Sequence, residues 1–220
     1  MGQKLFSVIT PVFNSGPKIE KTINSVLSQD EELFEFVVVD GGSTDDTLEV
    51  VEKYAGRIKL LTGRDEGVYD AMNKGVDAAG GKYLYFLGAG DSLKAGVLST
   101  VAAHLPPHEH ALVYGNVYMI DEGCIYDGEF DRAKLRRRNI CQQAIFYGRE
   151  IFAVIGGFET RFSVLADHAF NLKCFFNHRV EKKYIAYVIA NYEGGGMSRT
   201  QRDLDFALEY GELMSIGDDG

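Results

Sequence analysis

The sequence predicts an α/β protein with a mostly parallel central sheet that is flanked by helices. The first 62 residues alternate between short apolar segments and segments of helical periodicity, in the order β-α-β-α-β. The second apolar segment, Phe36 to Val39, lacks polar alternation, which is typical of a strand buried on both faces. The connections are only a few residues long, so we expect right-handed crossovers that keep successive strands parallel.

The predicted sheet is organised around the segment from Phe36 to Thr47, FVVVDGGSTDDT. Four apolar residues form a strand that runs into Asp40, and Gly41 and Gly42 allow the backbone to turn sharply. Asp40 therefore lies at the carboxyl end of a central strand, where open α/β sheets bind their ligands. An ordinary strand-to-helix turn with an acidic residue is the alternative for this segment taken alone.

The other elements of the first half follow from apolar periodicity. Besides the central strand, we predict strands at 5–10, 58–62 and 82–87, and helices after the first three strands. Asp65 and Asp91 follow the third and fourth strands, as Asp40 follows the second. Three carboxylates are therefore expected at one edge of the sheet, which is typical of a binding site. Three separate solvated turns are the alternative, because Asp is common in turns.

Apolar periodicity is weaker in the second half of the chain. A helix is predicted at 93–105, and an irregular polar segment at 127–140. Asp167 lies near the start of a further helix, where a simple helix cap is the alternative to a functional role. The remaining predicted elements are strands at 111–114, 117–120, 144–147 and 184–190 and a final helix at about 199–214.

Composition limits the function classes. The net charge of −9 gives no reason to expect nucleic-acid binding. Lys134 and residues 136–138 form a local basic run, for which a solvated face is the default and a lipid head-group site the alternative. The three cysteines lack metal-ligand spacing, and no apolar run approaches the ~18 residues of a membrane span. We expect a cytoplasmic protein, with peripheral contact at the inner face of the membrane as the alternative.

Several motifs in order resemble family-2 glycosyltransferases of the GT-A fold. The resemblance spans nearly the whole chain and is closest to small bacterial enzymes of surface-polysaccharide synthesis. The motifs are ITPVFN at 9–14, VVVDGGSTDDT at 37–47, DEGVYDAMNKG at 65–75, GAGD at 88–91, CQQAIFY at 141–147, GGF at 156–158, ADH at 166–168 and GGGMS at 194–198.

The resemblance implies a metal-dependent hexosyltransferase that moves a sugar, with inversion, from a nucleotide-diphosphate donor to a hydroxyl group. It implies one GT-A domain over 1–220, with a nucleotide-binding half at 1–105, an acceptor-side half at 106–198 and a C-terminal helix at 199–220. The implied donor is a UDP-sugar, the implied acceptor is a glycan or a lipid-linked molecule, and nucleic acid is not a partner. Asp167 is implied as the catalytic base and Asp91 as the metal ligand. The implied nucleotide-binding residues are Thr10, Pro11, Phe13, Asn14, Asp40, Asp65 and Lys74.

The chemistry of the leaving group agrees with these roles. A nucleoside diphosphate carries concentrated negative charge, which Mg²⁺ or Mn²⁺ neutralises through one or two carboxylates, phosphate oxygens and water. Two motifs depart from the family pattern. The metal motif has one carboxylate, Asp91, and Gln142-Gln143 replaces a His-Gln pair. There is no tryptophan and hence no QxxRW motif, so we expect one sugar per encounter.

Two other classes compete with this function. A non-catalytic nucleotide-sugar-binding or scaffold protein is favoured by the single-acid metal motif and by Gln142. A nucleotidyltransferase would need a basic glycine-rich loop near the N-terminus, and residues 9–17 lack a basic pair. A dinucleotide oxidoreductase is excluded because no GxGxxG motif follows the first strand.

Overall fold

The computed structural model describes residues 2–194 and 203–215. The strands are β1 (Phe6–Val12), β2 (Phe34–Asp40), β3 (Lys59–Thr62), β4 (Tyr83–Phe86), β5 (Ser92–Leu93), β6 (Ala111–Met119), β7 (Cys124–Tyr126), β8 (Ile145–Gly148) and β9 (Glu181–Tyr192). The helices are α1 (Gly16–Leu27), α2 (Thr47–Glu52), α3 (Val68–Ala78), α4 (Val97–Ala102), α5 (Arg132–Arg137), α6 (Arg149–Ile155), α7 (Ala166–Phe176) and α8 (Leu204–Ser215), with a short 3-10 helix at Gln142–Ala144.

The described strands form one mixed sheet in the order β3-β2-β1-β4-β8-β6-β9-β5, with β7 paired on β6. The first four strands of this order are mutually parallel, as the sequence predicts. Beyond them, β8 runs antiparallel to both β4 and β6, and β9 runs parallel to β6. The carboxyl ends of β1, β2, β3 and β4 therefore share one edge.

Three strands of the parallel half, β1, β2 and β4, are buried on both faces, whereas the edge strand β3 is partly exposed. Val37, Val38 and Val39 on β2 are all buried, because helices cover both sides of this part of the sheet. On α3, Gly75 lies directly against β1. A Cβ there would overlap the side chain of Ile9, so glycine allows the close approach of helix and strand.

The predicted helix at 93–105 is wrong at its start. Leu93 lies in β5 and pairs with Ala190 of β9 in an antiparallel bridge. The helix begins only at Val97, after Gly96 adopts a left-handed backbone with φ of 67°. A two-residue strand cannot be distinguished from the start of a helix by apolar periodicity, because its partner lies far along the chain.

The segment at 127–140 is not irregular throughout, because it contains α5. The side chain of Asp131 accepts the backbone N–H of Lys134 and caps this helix. The segments predicted at 111–114 and 117–120 join into the single strand β6, whose pairing with β9 shifts register around Asn116. The two predicted segments therefore cover most of β6, but the prediction leaves out Gly115 and Asn116 and extends one residue too far, to Ile120.

An aromatic cluster fixes α7 against the sheet. The ring of Phe158 lies 4.9 Å from that of Phe170 on α7 and 5.2 Å from that of Phe86 on β4. Phe152 stacks on Phe170 at 4.9 Å, and the ring of Tyr69 lies 5.7 Å from Phe158. Such contacts add to the free energy of burying the rings. The start of α7, which carries Asp167, is thereby held at the same edge as the parallel strand ends.

Within the described ranges, no helix combines the length and the apolar character that crossing a membrane requires. Gly195 to Ser198 of the GGGMS motif lie outside the described residues. Residues 199–203 of the predicted final helix precede α8, and 199–202 also lie outside the described residues.

Candidate active site

A cavity of about 990 Å³ lies at the carboxyl ends of β1 and β4. Five of the residues singled out from the sequence line it, namely Pro11, Phe13, Asp65, Asp91 and Asp167. The strand ends bring the first four together, and the packing of α7 adds the fifth. The structure therefore places Asp65, Asp91 and Asp167 around one space, whereas Asp40, the third acid expected at this edge, lies outside the cavity lining.

Asp167 has hydrogen-bond partners on both carboxylate oxygens. Its Oδ1 accepts the hydroxyl of Tyr69 at 2.9 Å and the backbone N–H of His168 at 2.9 Å. Its Oδ2 accepts the side-chain amide of Asn139 at 2.8 Å. This arrangement fixes the orientation of the carboxylate, and Oδ2, which accepts one hydrogen bond, retains a lone pair for a further proton donor.

Burial raises the pKa of Asp167, and the hydroxyl of Tyr69 lowers it in part. Burial and the charge of Asp167 raise the pKa of Tyr69, so this phenol keeps its proton. Burial also lowers the pKa of the neighbouring His168, whose Nε2–H donates to the carbonyl of Leu135 at 2.7 Å. A carboxylate with a raised pKa is a better proton acceptor than an exposed one, which suits a general base.

Asp91 is the second buried carboxylate in the cavity, with 6% of its surface exposed. Its Oδ2 accepts the amide of Gln143 at 2.7 Å, and its Oδ1 accepts the backbone N–H of Glu193 at 2.9 Å. Burial raises the pKa of Asp91 to about 6, and these two hydrogen bonds oppose the effect. The carboxylate is therefore mostly charged at neutral pH.

A five-residue segment connects the two carboxylates. Asn139 donates to Asp167 and Gln143 donates to Asp91, and the half-buried Cys141 lies between them. Burial raises the pKa of Cys141 to about 12, and both carboxylates add to this effect. Four residue steps of extended chain span at most ~14 Å between Cα atoms. The segment at 139–143 therefore limits the separation of the two acids.

Asp40 does not line the cavity, and its exposed fraction is 1%. Its carboxylate accepts the backbone N–H groups of Gly42 and Ser43 at 3.0 and 3.1 Å. The next residue, Gly41, lies against Asp65, whose carboxylate would overlap any Cβ at that position. Asp40 thus shapes the turn that supports Asp65.

The other three predicted nucleotide-binding residues also lie outside the cavity lining. Thr10 is fully buried in β1. Asn14 connects two loops, because its backbone N–H donates to Ser43 and its side-chain oxygen accepts the N–H of Thr44. Lys74 forms an ion pair with Asp70 at 2.9 Å. In this structure their contacts are with the protein itself, and their roles toward a nucleotide stay predictions.

Three residues that position the site were not singled out from the sequence. Tyr69 lies within the DEGVYDAMNKG motif, and its position four residues after Asp65 is the only local signal for it. Asn139 has no local signal, because its partner is 28 residues away. Asp203 is the third: it is buried, and its Oδ2 accepts the backbone N–H groups of Val164 and Leu165 at 2.9 and 3.0 Å.

We expect Asp203→Ala to lower the free energy of unfolding by about 2–3 kcal/mol, because it leaves buried backbone donors without an acceptor. Val164 and Leu165 immediately precede α7, so kcat should fall more than the affinity for a nucleotide. Thermal unfolding and steady-state kinetics measure the two effects. Asp205→Ala is the matched control, because Asp205 is exposed in the first turn of α8, two residues after Asp203. Equal results for both variants would contradict the positioning role of Asp203.

Comparison with protein families gives a direct match. Residues 7–168 match the model described as glycosyl transferase family 2. The chain belongs to glycosyl transferase family 2. A curated relative, the PGL/p-HBAD biosynthesis glycosyltransferase of Mycobacterium bovis (strain BCG / Pasteur 1173P2), is 44% identical over 214 residues. The match covers 94% of this chain and 84% of that relative.

Solved structures confirm the GT-A fold of this glycosyltransferase. Staphylococcus aureus TarS 1–349 in complex with UDP superposes with a TM-score of 0.78 at 21% identity, over 97% of this chain and 65% of that chain. The mannosyltransferase PcManGT from Pyrobaculum calidifontis, in complex with GDP-Man and Mn²⁺, gives a TM-score of 0.67 at 19% identity, over 96% of this chain and 69% of that chain. The predicted family and fold are therefore confirmed.

Proposed function

We propose that this glycosyltransferase moves a sugar from a UDP-sugar to a hydroxyl group of a glycan or lipid-linked acceptor, with inversion at the anomeric carbon. The acceptor belongs to the synthesis of a cell-surface glycan. Two comparisons support this: the mycobacterial relative is named for PGL/p-HBAD biosynthesis, and TarS was solved with UDP and with UDP-GlcNAc.

One observation carries the proposal, namely the oriented, buried carboxylate of Asp167 in the cavity that also contains Asp91. An inverting displacement needs one base, which removes the proton of the acceptor hydroxyl as its oxygen attacks the anomeric carbon. The bond from that carbon to the diphosphate oxygen breaks, and the diphosphate leaves with its electron pair. A glycoside hydrolase would need a second carboxylic acid to protonate the leaving oxygen.

The donor side of the cavity is formed by the loop after β1 and by Asp65. Phe13 is 60% exposed, and its ring is available to stack on a base. Lys18, in the first turn of α1, lines the same cavity and places a positive charge near the strand ends, where a diphosphate would lie. Asp65 offers acceptor oxygens for a base or a ribose hydroxyl.

A divalent metal is part of the proposal. In the described part of the chain, no three His, Cys, Asp or Glu side chains cluster as a metal site. Asp91 nevertheless fits Mg²⁺ or Mn²⁺, because these ions are commonly held by one or two carboxylates together with substrate phosphates and water. Asp91 would hold the ion and Gln143 would orient its carboxylate. When bound, the ion would neutralise charge on the leaving diphosphate.

The second candidate is a nucleotide-sugar-binding protein without turnover. It is favoured by the single carboxylate of the metal motif and by Gln142, which lines the cavity where the family pattern has histidine. Both candidates would bind a donor, and only the glycosyltransferase would consume it.

The test has two stages. We expect UDP with Mn²⁺ to raise the unfolding temperature more than GDP or ADP with Mn²⁺, because ligands that bind the folded state stabilise it. Incubation with a panel of UDP-sugars should then release UDP, and NMR of the product should show the anomeric configuration opposite to that of the donor. Binding without release of UDP from any donor would favour the non-catalytic candidate, and a retained configuration would contradict inversion.

A further inference from the structure

A basic and partly apolar surface surrounds Phe176, at the opposite end of α7 from Asp167. The guanidinium groups of Arg132 and Arg136 on α5 lie 4.9 and 4.7 Å from the centre of its ring. A groove of about 660 Å³ lies against the same side chain. We call Phe176, the two arginines and the other groove residues the Phe176 surface. The other groove residues are Val154, Ile155, Lys173, Asn177, His178 and Arg179.

The charge of the Phe176 surface is opposite to that of the whole protein, which is −9. Arg132 and Arg179 are exposed and form no ion pair with any residue that the structure describes. Lys173 pairs with Glu159, so it adds little net charge. Burial lowers the pKa of the adjacent Lys182, and the positive charge of Arg132 adds to this effect. The surface is therefore a local cationic region.

The basic run singled out from the sequence is only partly on this surface. Lys134 and Arg138 form ion pairs with Asp127 at 3.5 and 3.1 Å, and their side chains lie over the rings of Phe130 and Tyr126. These two side chains therefore share one carboxylate and are held by contacts within the fold. The cationic surface comes from the other face of α5 and from the turn after α7.

We infer that the Phe176 surface docks onto an anionic lipid bilayer. Arginine side chains bind lipid phosphates, and the apolar side chains Val154, which is 40% exposed, and Phe176 can enter the head-group region. The negative charge of the rest of the molecule orients this side toward the bilayer. The inference goes beyond the proposed function and does not depend on the identity of the donor sugar.

The position of α5 connects the bilayer to the site. Arg132 and Arg136 lie on the Phe176 surface, and the same helix ends next to Arg138 and Asn139, which line the cavity. An enzyme docked here would hold the acceptor-side wall of its cavity near the membrane. This placement suits an acceptor that is itself held in a bilayer.

Co-sedimentation with vesicles tests the inference. We expect the protein to bind vesicles that contain 30% phosphatidylglycerol in phosphatidylcholine, and to bind pure phosphatidylcholine at least tenfold more weakly. Each basic side chain near an anionic surface strengthens binding roughly fivefold. The double variant R132E/R179E should therefore lose at least about 25-fold in its apparent partition coefficient.

The matched control is K53E/R57E, which changes the net charge equally near α2, at the β3 edge of the sheet. It should bind anionic vesicles as the wild type does. UDP release in solution should be unchanged in R132E/R179E, which separates loss of docking from loss of the proposed function. Equal vesicle binding by both double variants would overturn the inference. So would equal binding to neutral vesicles, or displacement of the vesicles by a duplex DNA at equal phosphate concentration.

Discussion

Asp167→Asn should lower kcat by about 10²–10⁴-fold, which is the usual contribution of a general base. UDP should still bind, because Phe13 and Asp65 on the donor side of the cavity are unchanged. Asn is the closest replacement in shape: its side-chain oxygen can accept the hydrogen bonds from Tyr69 and His168, and only the bond from Asn139 is lost. The loss should therefore reflect the missing base rather than a rearranged α7.

The pH profile adds a second readout for Asp167. The base must be unprotonated to act, and burial raises its pKa. In the wild type, kcat/KM should therefore fall on acidification, starting at a higher pH than an exposed aspartate would give. The residual activity of Asp167→Asn should lack the part of this decrease that Asp167 causes and keep the part that follows protonation of Asp91, whose pKa is about 6. Asp77→Asn, on the exposed side of α3, is the control. A fall in kcat of less than tenfold with wild-type unfolding temperature would remove Asp167 from the role of base.

Asp91→Ala should lower kcat/KM for the donor by about 100-fold or more, because a metal ion contributes several kcal/mol of charge stabilisation. EDTA should inhibit the wild type to a similar extent, and added Mn²⁺ should restore its activity. In Asp91→Ala, by contrast, saturating Mn²⁺ should recover only part of the activity, because only the diphosphate is left to hold the ion.

Glu193→Gln is the control for Asp91→Ala, because it removes a neighbouring charge and keeps the carboxylate of Asp91. The backbone N–H of Glu193 donates to Asp91 and is kept in this variant, whereas its ion pair with Lys21 is lost. We expect wild-type metal dependence from Glu193→Gln. Unchanged Mn²⁺ dependence in Asp91→Ala would contradict the metal role of Asp91. Full activity of the wild type after treatment with EDTA would contradict metal dependence altogether.

The convergence of Asp65, Asp91 and Asp167 on one cavity was predictable in part. The order of strands and helices indicates which residues follow parallel strands, and such residues share an edge by geometry. The position of Asp167 depends instead on aromatic packing of α7 against β4 and β8, which no local pattern describes. The prediction that Asp167 belongs to the site came from the order of the motifs.

The contacts of the site were less predictable than its location. Asp40 accepts two backbone N–H groups of the turn that follows it, and Lys74 pairs with Asp70 at the i, i+4 spacing of a helix. Both arrangements are contacts between residues close in sequence, which matching of motifs does not consider. The bond from Tyr69 to Asp167 spans 98 residues, so only the folded chain reveals it.

The segment from Asn139 to Gln143 limits the distance between the carboxylates of Asp167 and Asp91. Its ends donate to Asp167 and Asp91, which we propose to act on the acceptor and on the leaving group, so adding or removing one residue there would change the distance between the two carboxylates. Loops elsewhere on the rim can vary in length to suit new sugars and acceptors. We therefore expect chimeras of this enzyme to tolerate exchanged loops more readily than any change in the length of this short stretch.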